Sequence, residues 1–342
     1  MADAPSDLLP WLVAPLRRAL ETQSAHALLL HGPRGVGQFE LAMALAQGWL
    51  CESDTVPMGA RPCGVCASCR LVSARSHPDL LVLVPGALRE SLGLATGEGD
   101  EGSEETSGKK KPSKEIRVDE VRVAIAFSLT TSARGRGKVV VVHPAERMNA
   151  IAANAFLKTL EEPPGNARFL LCSAAPDALL PTIRSRCQAL ALKLPGHADA
   201  VAWLMGQGVV EPEILLAACG GQPQEAAARA AHGIDAVAWR ALPRRIAAGD
   251  ASGLRGWSLP WVVDALQKLC HDVASVVAGA LPRYFPAANL PGSGDLASLL
   301  RYARELRRFA LHAEHPWIAD LSVESLVAQG REALQTPRSQ PG

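Results

Sequence analysis

Five short apolar runs, each set off by turn residues and separated from the next by a stretch of helical period, constrain this chain more than any other feature. They lie at 26–31, 80–84, 138–142, 168–173 and 189–192. Runs of this length without polar alternation read as strands buried on both faces. Helical stretches fall between them at Gln38–Leu50, Val118–Leu129 and 150–162, the last stopped by Pro163-Pro164. Strand and helix in alternation predict an α/β fold: a mainly parallel sheet covered by helices on both sides.

After Leu194-Pro195-Gly196 the strand pattern stops and the chain becomes rich in Ala and Leu. One helix-period stripe runs Val262, Leu266, Leu269, Val273, Val276, and another runs Leu299, Tyr302, Leu306, Phe309. These read as core positions of a helical bundle, reached through a small helical region near 195–235. Between 86 and 115 the pattern breaks into an acidic, Gly-rich block at 97–105 and a Lys-rich block ending at Lys114. Such a segment buries too little apolar surface to offset its ordering entropy, so a disordered surface insertion is expected. The opposed charge blocks could instead bind something.

Lys plus Arg number 35 against 34 Asp plus Glu, so no global basic field advertises nucleic-acid binding, and any DNA contact must be local or shared. The first twenty residues hold Asp3, Asp7, Pro5, Pro10 and Pro15 and lack the basic start and apolar core of a secretion signal. No apolar run approaches the roughly 20 residues of a membrane span. The expected location is therefore cytoplasmic, where thiols stay reduced and the eight cysteines point to metal or free thiols. Cys63, Cys66 and Cys69 form a C-x2-C-x2-C run, and Cys51 stands upstream at the end of the first expected helix. Four thiolates suit a closed, structural Zn(II) site. An iron–sulfur cluster is the rival metal reading, but the run lacks the fourth Cys and Pro of the bacterial ferredoxin pattern; free thiols are the plain alternative. Cys172, Cys187, Cys219 and Cys270 stand alone on apparent core elements and read as inert.

The turn Gly32-Pro-Arg-Gly-Val-Gly37 sits between a strand and a helix, the setting of a phosphate-binding loop. Such a loop requires a Lys and a Ser or Thr directly after its last glycine, for the terminal phosphates and for magnesium. Here those residues are Gln38 and Phe39. The acidic pair expected after a later strand, which serves the metal and the attacking water, is replaced by His143-Pro144. Gly32 and Gly37 are thus a vestigial loop or a plain tight turn, with no functional ATP site expected.

The stretch from Asn154 to Pro164, with Leu157-Lys-Thr-Leu-Glu-Glu-Pro-Pro164 at its end, is followed by Phe169-Leu-Leu-Cys-Ser173 and Thr182-Ile-Arg-Ser-Arg-Cys187. In combination these closely resemble clamp-loader subunits of the AAA+ ATPase superfamily, and the likeness covers almost the whole chain. The resemblance implies a RecA-like AAA+ domain at 1–194 carrying a zinc module at about 51–70, a helical lid at 195–236 and an all-α collar at 237–342. It implies that Arg186 of Ser185-Arg186-Cys187 points away from its own subunit, as an arginine finger in trans toward ATP held by a neighbour; an ordinary surface Arg beside Arg184 is the alternative. In the lid, Gln224 of Gly221-Gln222-Pro223-Gln224 stands where active relatives carry a nucleotide-sensing Arg. The partners implied are tau/gamma and delta subunits in a pentameric ring, and the sliding clamp and primer-template DNA through that complex, with no membrane. The competing readings are a self-sufficient ATPase with phosphate contacts from Arg34, and a zinc-bearing DNA-binding module. The 97–114 insertion departs from the family pattern.

Overall fold

The computed structural model describes residues 8–23, 25–94, 112–292, 294–310 and 319–335, with the side chains of 319 and 320 left aside. The chain divides into two compact units, 1–194 and 195–342.

In the first unit, strands β1 (Ala27–His31), β2 (Leu80–Leu83), β3 (Val139–Val142), β4 (Arg168–Ser173) and β5 (Gln188–Ala191) form one sheet in the order β2-β3-β4-β1-β5. Every neighbouring pair is parallel, with Leu29 opposite Leu171, Val141 opposite Leu170 and Leu30 opposite Leu190. All four valines of β3 are buried, as expected where helices cover both faces and no solvated face remains for polar alternation. Helices α1 (Val13–Thr22), α2 (Gln38–Leu50), α3 (Ala67–Ser73), α4 (Gly86–Arg89), α5 (Val118–Leu129), α6 (Ala150–Glu161) and α7 (Pro181–Arg184) complete the unit. Among these α2 stands apart, since every residue of it except Glu40 is buried. A helix apolar all round belongs inside a protein rather than on its surface. Helix α6 opens on Asn149, whose side chain accepts from the Ala152 amide at 2.9 Å. The α/β fold expected from the sequence is the one observed.

Most of the expected charged insertion, 95–111, lies outside the described residues. Its flanks, which the sequence places in the same disordered segment, are structured: α4 forms, and the Ala87 amide donates to the Ser113 carbonyl at 3.0 Å. The two ends of the insertion are thereby pinned side by side.

The second unit is helical: α8 (His197–Gly206), α9 (Pro212–Ala218), α10 (Pro223–Ala231), α11 (Ala236–Ala248), α12 (Leu259–Val277), α13 (Leu296–Ala310) and α14 (Ala319–Gln335). One hydrophobic cluster runs from Ala200 and Leu204 through Trp239 and Leu266 to Leu334, so α8 to α10 share a core with the longer helices after them. Val262, Leu266, Leu269 and Val273 of one stripe and Leu299, Tyr302 and Leu306 of the other are buried in it. Trp239 lies at its centre, stacked on Phe285 with ring centroids 4.5 Å apart. The fully buried Asp272 carboxylate accepts from the backbone amides of Arg283, Tyr284 and Phe285 at 2.7 to 2.9 Å, which anchors the segment after α12. No helix among the described residues is long and apolar enough to cross a membrane.

Candidate functional site

Three features of the first unit carry the chemistry that the sequence points to. The first is the loop from Gly32 to Gly37, which leaves the carboxyl end of β1 and enters α2, where a parallel sheet presents ligand sites. Two glycines are required by geometry. A side chain on Gly32 would stand 2.4 Å from the Leu192 carbonyl oxygen, and Gly37 has φ 98° and is closed over by Leu9 and Leu12. The turn between β1 and α2 therefore depends on glycine at both positions. The Gln38 amide nitrogen turns back and donates to the carbonyl oxygens of Gly32 at 2.8 Å and Pro33 at 2.7 Å. From outside, the Trp11 indole donates to the Val36 carbonyl at 2.9 Å.

Where a hydroxyl and an acidic pair would hold magnesium, an aromatic contact is found. Phe39 is buried against the His143 ring at a centroid separation of 5.0 Å, and the Arg75 guanidinium lies 5.5 Å from the centre of the same phenyl ring. Burial pushes the His143 imidazole down to about 4, with nearby Glu146 opposing only in part, so the ring is neutral near pH 7. A neutral imidazole packed on a phenyl ring contributes no anionic ligand to a hard cation.

The second feature is the cysteine cluster. Cys51 ends α2, Cys63 and Cys66 lie on the loop after it, and Cys69 lies in the first turn of α3; the four sulfurs all lie within 4.8 Å of one another. Tetrahedral ligation at about 2.3 Å places sulfurs about 3.8 Å apart. The Cys63 and Cys69 sulfurs stand 3.9 Å apart. The Cys66 amide points at the Cys63 sulfur and the Cys69 amide at the Cys66 sulfur, each at 3.4 Å, so the backbone is arranged to stabilise thiolates. Burial raises the Cys63 thiol, but the amides of Cys66 and Val65 outweigh it and bring that thiol down to about 7; Cys51 and Cys69, more deeply buried, are held up by burial. The donor set can hold a metal ion, and it is complete without solvent.

Supports around the cluster tie it to the sheet. Gln47 donates to the Cys69 carbonyl at 2.9 Å, and Arg61 donates to the carbonyls of Val56 and Ser53 at 3.1 and 2.7 Å. Arg134, from the segment before β3, pairs with Glu52 at 2.6 Å and holds that carboxyl below its ordinary range. Behind them Asp79 is fully buried, accepting from the amides of Ala133 and Arg134 and the Ser132 hydroxyl and pairing with Lys138 at 3.2 Å. Ser68 and His77 beside it resemble a nucleophile and base, with the His77 Nε2 2.5 Å from the Ser68 Oγ. However, the Asp79 amide donates to His77 Nδ1 at 3.0 Å, which puts the neutral ring's proton on Nε2. His77 therefore donates to Ser68 and cannot activate it, and the group is a structural buttress.

The third feature is Arg186, between α7 and β5. Since β5 runs parallel to β1, with Gln188 opposite Leu28 and Ala191 opposite His31, Arg186 stands before the amino end of β5 while the loop follows the carboxyl end of β1. The two lie at opposite ends of the sheet, and Arg186 does not serve its own loop. Its guanidinium donates from Nε and Nη2 to Glu161 Oε2 at 3.0 and 2.7 Å and from Nη1 to the Thr182 carbonyl at 3.2 Å. Gln224 lies in the first turn of α10, in the second unit. The hydrogen bonds from Gln38 to the loop carbonyls, the cover from Leu9, Trp11 and Leu12, and the Glu161 contact were not visible in the sequence motifs.

A family profile described as DNA polymerase III, delta subunit, matches residues 10–195. The DNA polymerase III subunit delta' of Pseudomonas aeruginosa is 40% identical over 223 residues, 64% of this chain and 60% of that protein. The subunit delta' of Escherichia coli K12 is 35% identical over 214 residues, 61% of this chain and 56% of that protein. The DNA polymerase III subunit tau of Escherichia coli K12 is 34% identical over 168 residues, 49% of this chain and 22% of that protein. The chain thus spans less than two thirds of the length of the relatives it matches.

Proposed function

The chain belongs to the DNA polymerase III delta subunit family, with delta-prime subunits among its relatives, and from this premise we propose that it is a non-hydrolysing clamp-loader subunit that lends Arg186 to a neighbouring ATPase. The observation that carries this reading is the loss of the charged groups at the loop: Gln38, whose amide donates to the carbonyls of Gly32 and Pro33, brings no cation to a terminal phosphate, and Phe39 packed on the neutral His143 ring brings neither a hydroxyl nor an anionic ligand for magnesium. The chain therefore hydrolyses no ATP by itself and acts as a fixed member of the DNA polymerase III holoenzyme.

Arg186 is suited to work in trans because it stands at the end of the sheet opposite its own loop. A planar, permanently charged guanidinium can offset the negative charge that spreads over the γ-phosphate oxygens in the transition state. In this reading tau/gamma supplies the ATP site, the helices after about 237 join the chain to tau/gamma and delta in a ring of five, and the assembled complex loads the sliding clamp onto primer-template DNA in the cytoplasm. Gln224 in place of a sensing Arg removes a further nucleotide contact from the lid region at 195–236. Cys51, Cys63, Cys66 and Cys69 hold one zinc ion, which supplies a structural cross-link between the end of α2 and the start of α3.

The test is DNA-stimulated ATP hydrolysis by the complex reconstituted with tau/gamma and delta, comparing wild type with Arg186→Ala. The expected result is a clear fall in turnover with assembly intact by size exclusion. Unchanged turnover in an intact complex would remove the finger from the reading.

A further inference from the structure

We propose that Glu161 is the positioning residue for Arg186, holding one edge of the guanidinium so that its remaining donors are left for a phosphate. The inference rests on the reading of Arg186 as a finger in trans. It begins from the count of donors. A guanidinium has five N–H groups in a fixed fork and offers two edges for planar recognition, one made by Nε with Nη2 and one by the two terminal nitrogens. Glu161 Oε2 takes the first edge alone, at 3.0 Å from Nε and 2.7 Å from Nη2. The Thr182 carbonyl takes one hydrogen of Nη1 at 3.2 Å. One hydrogen on each terminal nitrogen is left to donate to phosphate oxygens.

Both supports are themselves fixed. Glu161 is the last residue of α6, whose preceding Leu160 is fully buried and whose Leu160 carbonyl accepts from His26 Nε2 at 2.8 Å, next to β1. Thr182 lies in α7 beside the fully buried Ile183, and its carbonyl also accepts from the Ser185 hydroxyl at 3.1 Å. The pair they hold is open to solvent, with side-chain exposures of 30% for Arg186 and 59% for Glu161. Exposure matters in two ways. It leaves the remaining donors reachable by a neighbouring subunit, and it means that the pair adds little to the stability of the fold. An ion pair placed in this motif with little effect on folding is better explained by orientation: a long side chain held in one rotamer has less freedom to give up when it meets its target.

Glu161 touches neither nucleotide nor reacting atoms in this scheme and acts only through Arg186. The consequence is a particular pattern of loss in the reconstituted complex. Glu161→Ala should lower kcat for DNA-stimulated ATP hydrolysis by about fivefold, the equivalent of about 1 kcal/mol at 25 °C, with KM for ATP unchanged. Glu161→Gln keeps a carbonyl oxygen for the same edge and should recover most of that loss. The double variant Glu161→Ala/Arg186→Ala should be no slower than Arg186→Ala alone, because nothing is left to position. If Arg186→Ala slows turnover while Glu161→Ala leaves it unchanged or raises it, the positioning role is overturned and the finger stands; a rise would make Glu161 a competitor for the finger. If Arg186→Ala itself has no effect, the finger and its positioning fall together.

Discussion

Replacing Asp79 is the most demanding test of how the first unit is held together. Its carboxylate is fully buried, and each oxygen has two partners: Oδ1 accepts from the Ala133 amide at 2.8 Å and pairs with Lys138 at 3.2 Å, while Oδ2 accepts from the Arg134 amide and the Ser132 hydroxyl at 2.9 Å each. Asp79→Ala leaves two amides without their acceptor and strands the Lys138 ammonium, whose side chain is only 9% exposed. Breaking a buried pair from one side costs about 3–5 kcal/mol. The Phe127 ring, 4.2 Å from the Lys138 ammonium, offsets part of this and sets the expectation at the lower end of that range. Against the roughly 5–15 kcal/mol that holds a domain together, such a loss is severe. Hydrogen exchange read by mass spectrometry on peptides covering β3 and the 132–137 segment would measure it separately from the helical unit, where peptides from α12 should be unaffected. Adding Lys138→Met to Asp79→Ala should recover stability by removing the stranded charge. The pH dependence follows from the sign of the shift. Burial alone would raise the Asp79 carboxyl, but the amides of Ala133 and Arg134, the Ser132 hydroxyl and Lys138 outweigh it and hold the carboxyl below its usual value. Its contribution is therefore complete above the unfolded value of about 3.9 and is lost as pH falls through the lower folded value. The wild-type advantage over Asp79→Asn should be flat from pH 8 to pH 5 and shrink only below about pH 4. A loss under about 1 kcal/mol, or an advantage that changes across neutral pH, would refute this account.

Two further outcomes are expected. Elemental analysis of the purified chain should find about one zinc per molecule, and Cys66→Ser should release metal more readily to a chelator followed by a colorimetric indicator; an iron signal or no metal would overturn the zinc assignment. In the helical unit, Asp272→Ala orphans the amides of Arg283, Tyr284 and Phe285, which at about 1–3 kcal/mol for each buried unsatisfied group should expose 280–285 to rapid exchange and alter Trp239 emission, since Phe285 is stacked on that indole.

The strands of the first unit and the stripes of the second were legible because each is a local signal: a buried strand is a short apolar run, and a buried helix face repeats at 3.6 residues. Val139–Val142 and the Val262 to Val273 stripe needed no knowledge of the rest of the chain. The four cysteines were legible too, through their spacing. What the motifs could not give is pairing across long separations. In sequence Gln38 stands where a lysine is required, which says nothing about where its amide goes; only the folded loop brings the carbonyls of Gly32 and Pro33 within its reach. Glu161 and Arg186 both lie in the motifs that carried the family resemblance, yet their contact spans 25 residues and depends on how α6 and α7 pack. Asp79 and Lys138 show the boundary most clearly. Each directly precedes a strand, and once Leu80 is known to stand opposite Val139 in parallel register the two charges must be neighbours. The signal was present in the sequence, but it becomes readable only after the strand order is fixed. The role of Asp272 is hidden from the sequence for a similar reason, since its three amide partners lie beyond the end of its own helix.

Helix α2 begins at Gln38 and ends against Cys51, so one rod of 13 residues, about 20 Å long at 1.5 Å per residue, has the glycine loop at its head and the cysteine cluster at its foot. Buried along nearly its whole length, it has little room to fray at one end while staying put at the other. The spacing between the loop and the first cysteine is thus set by a single helix, with no turn between them at which it could vary.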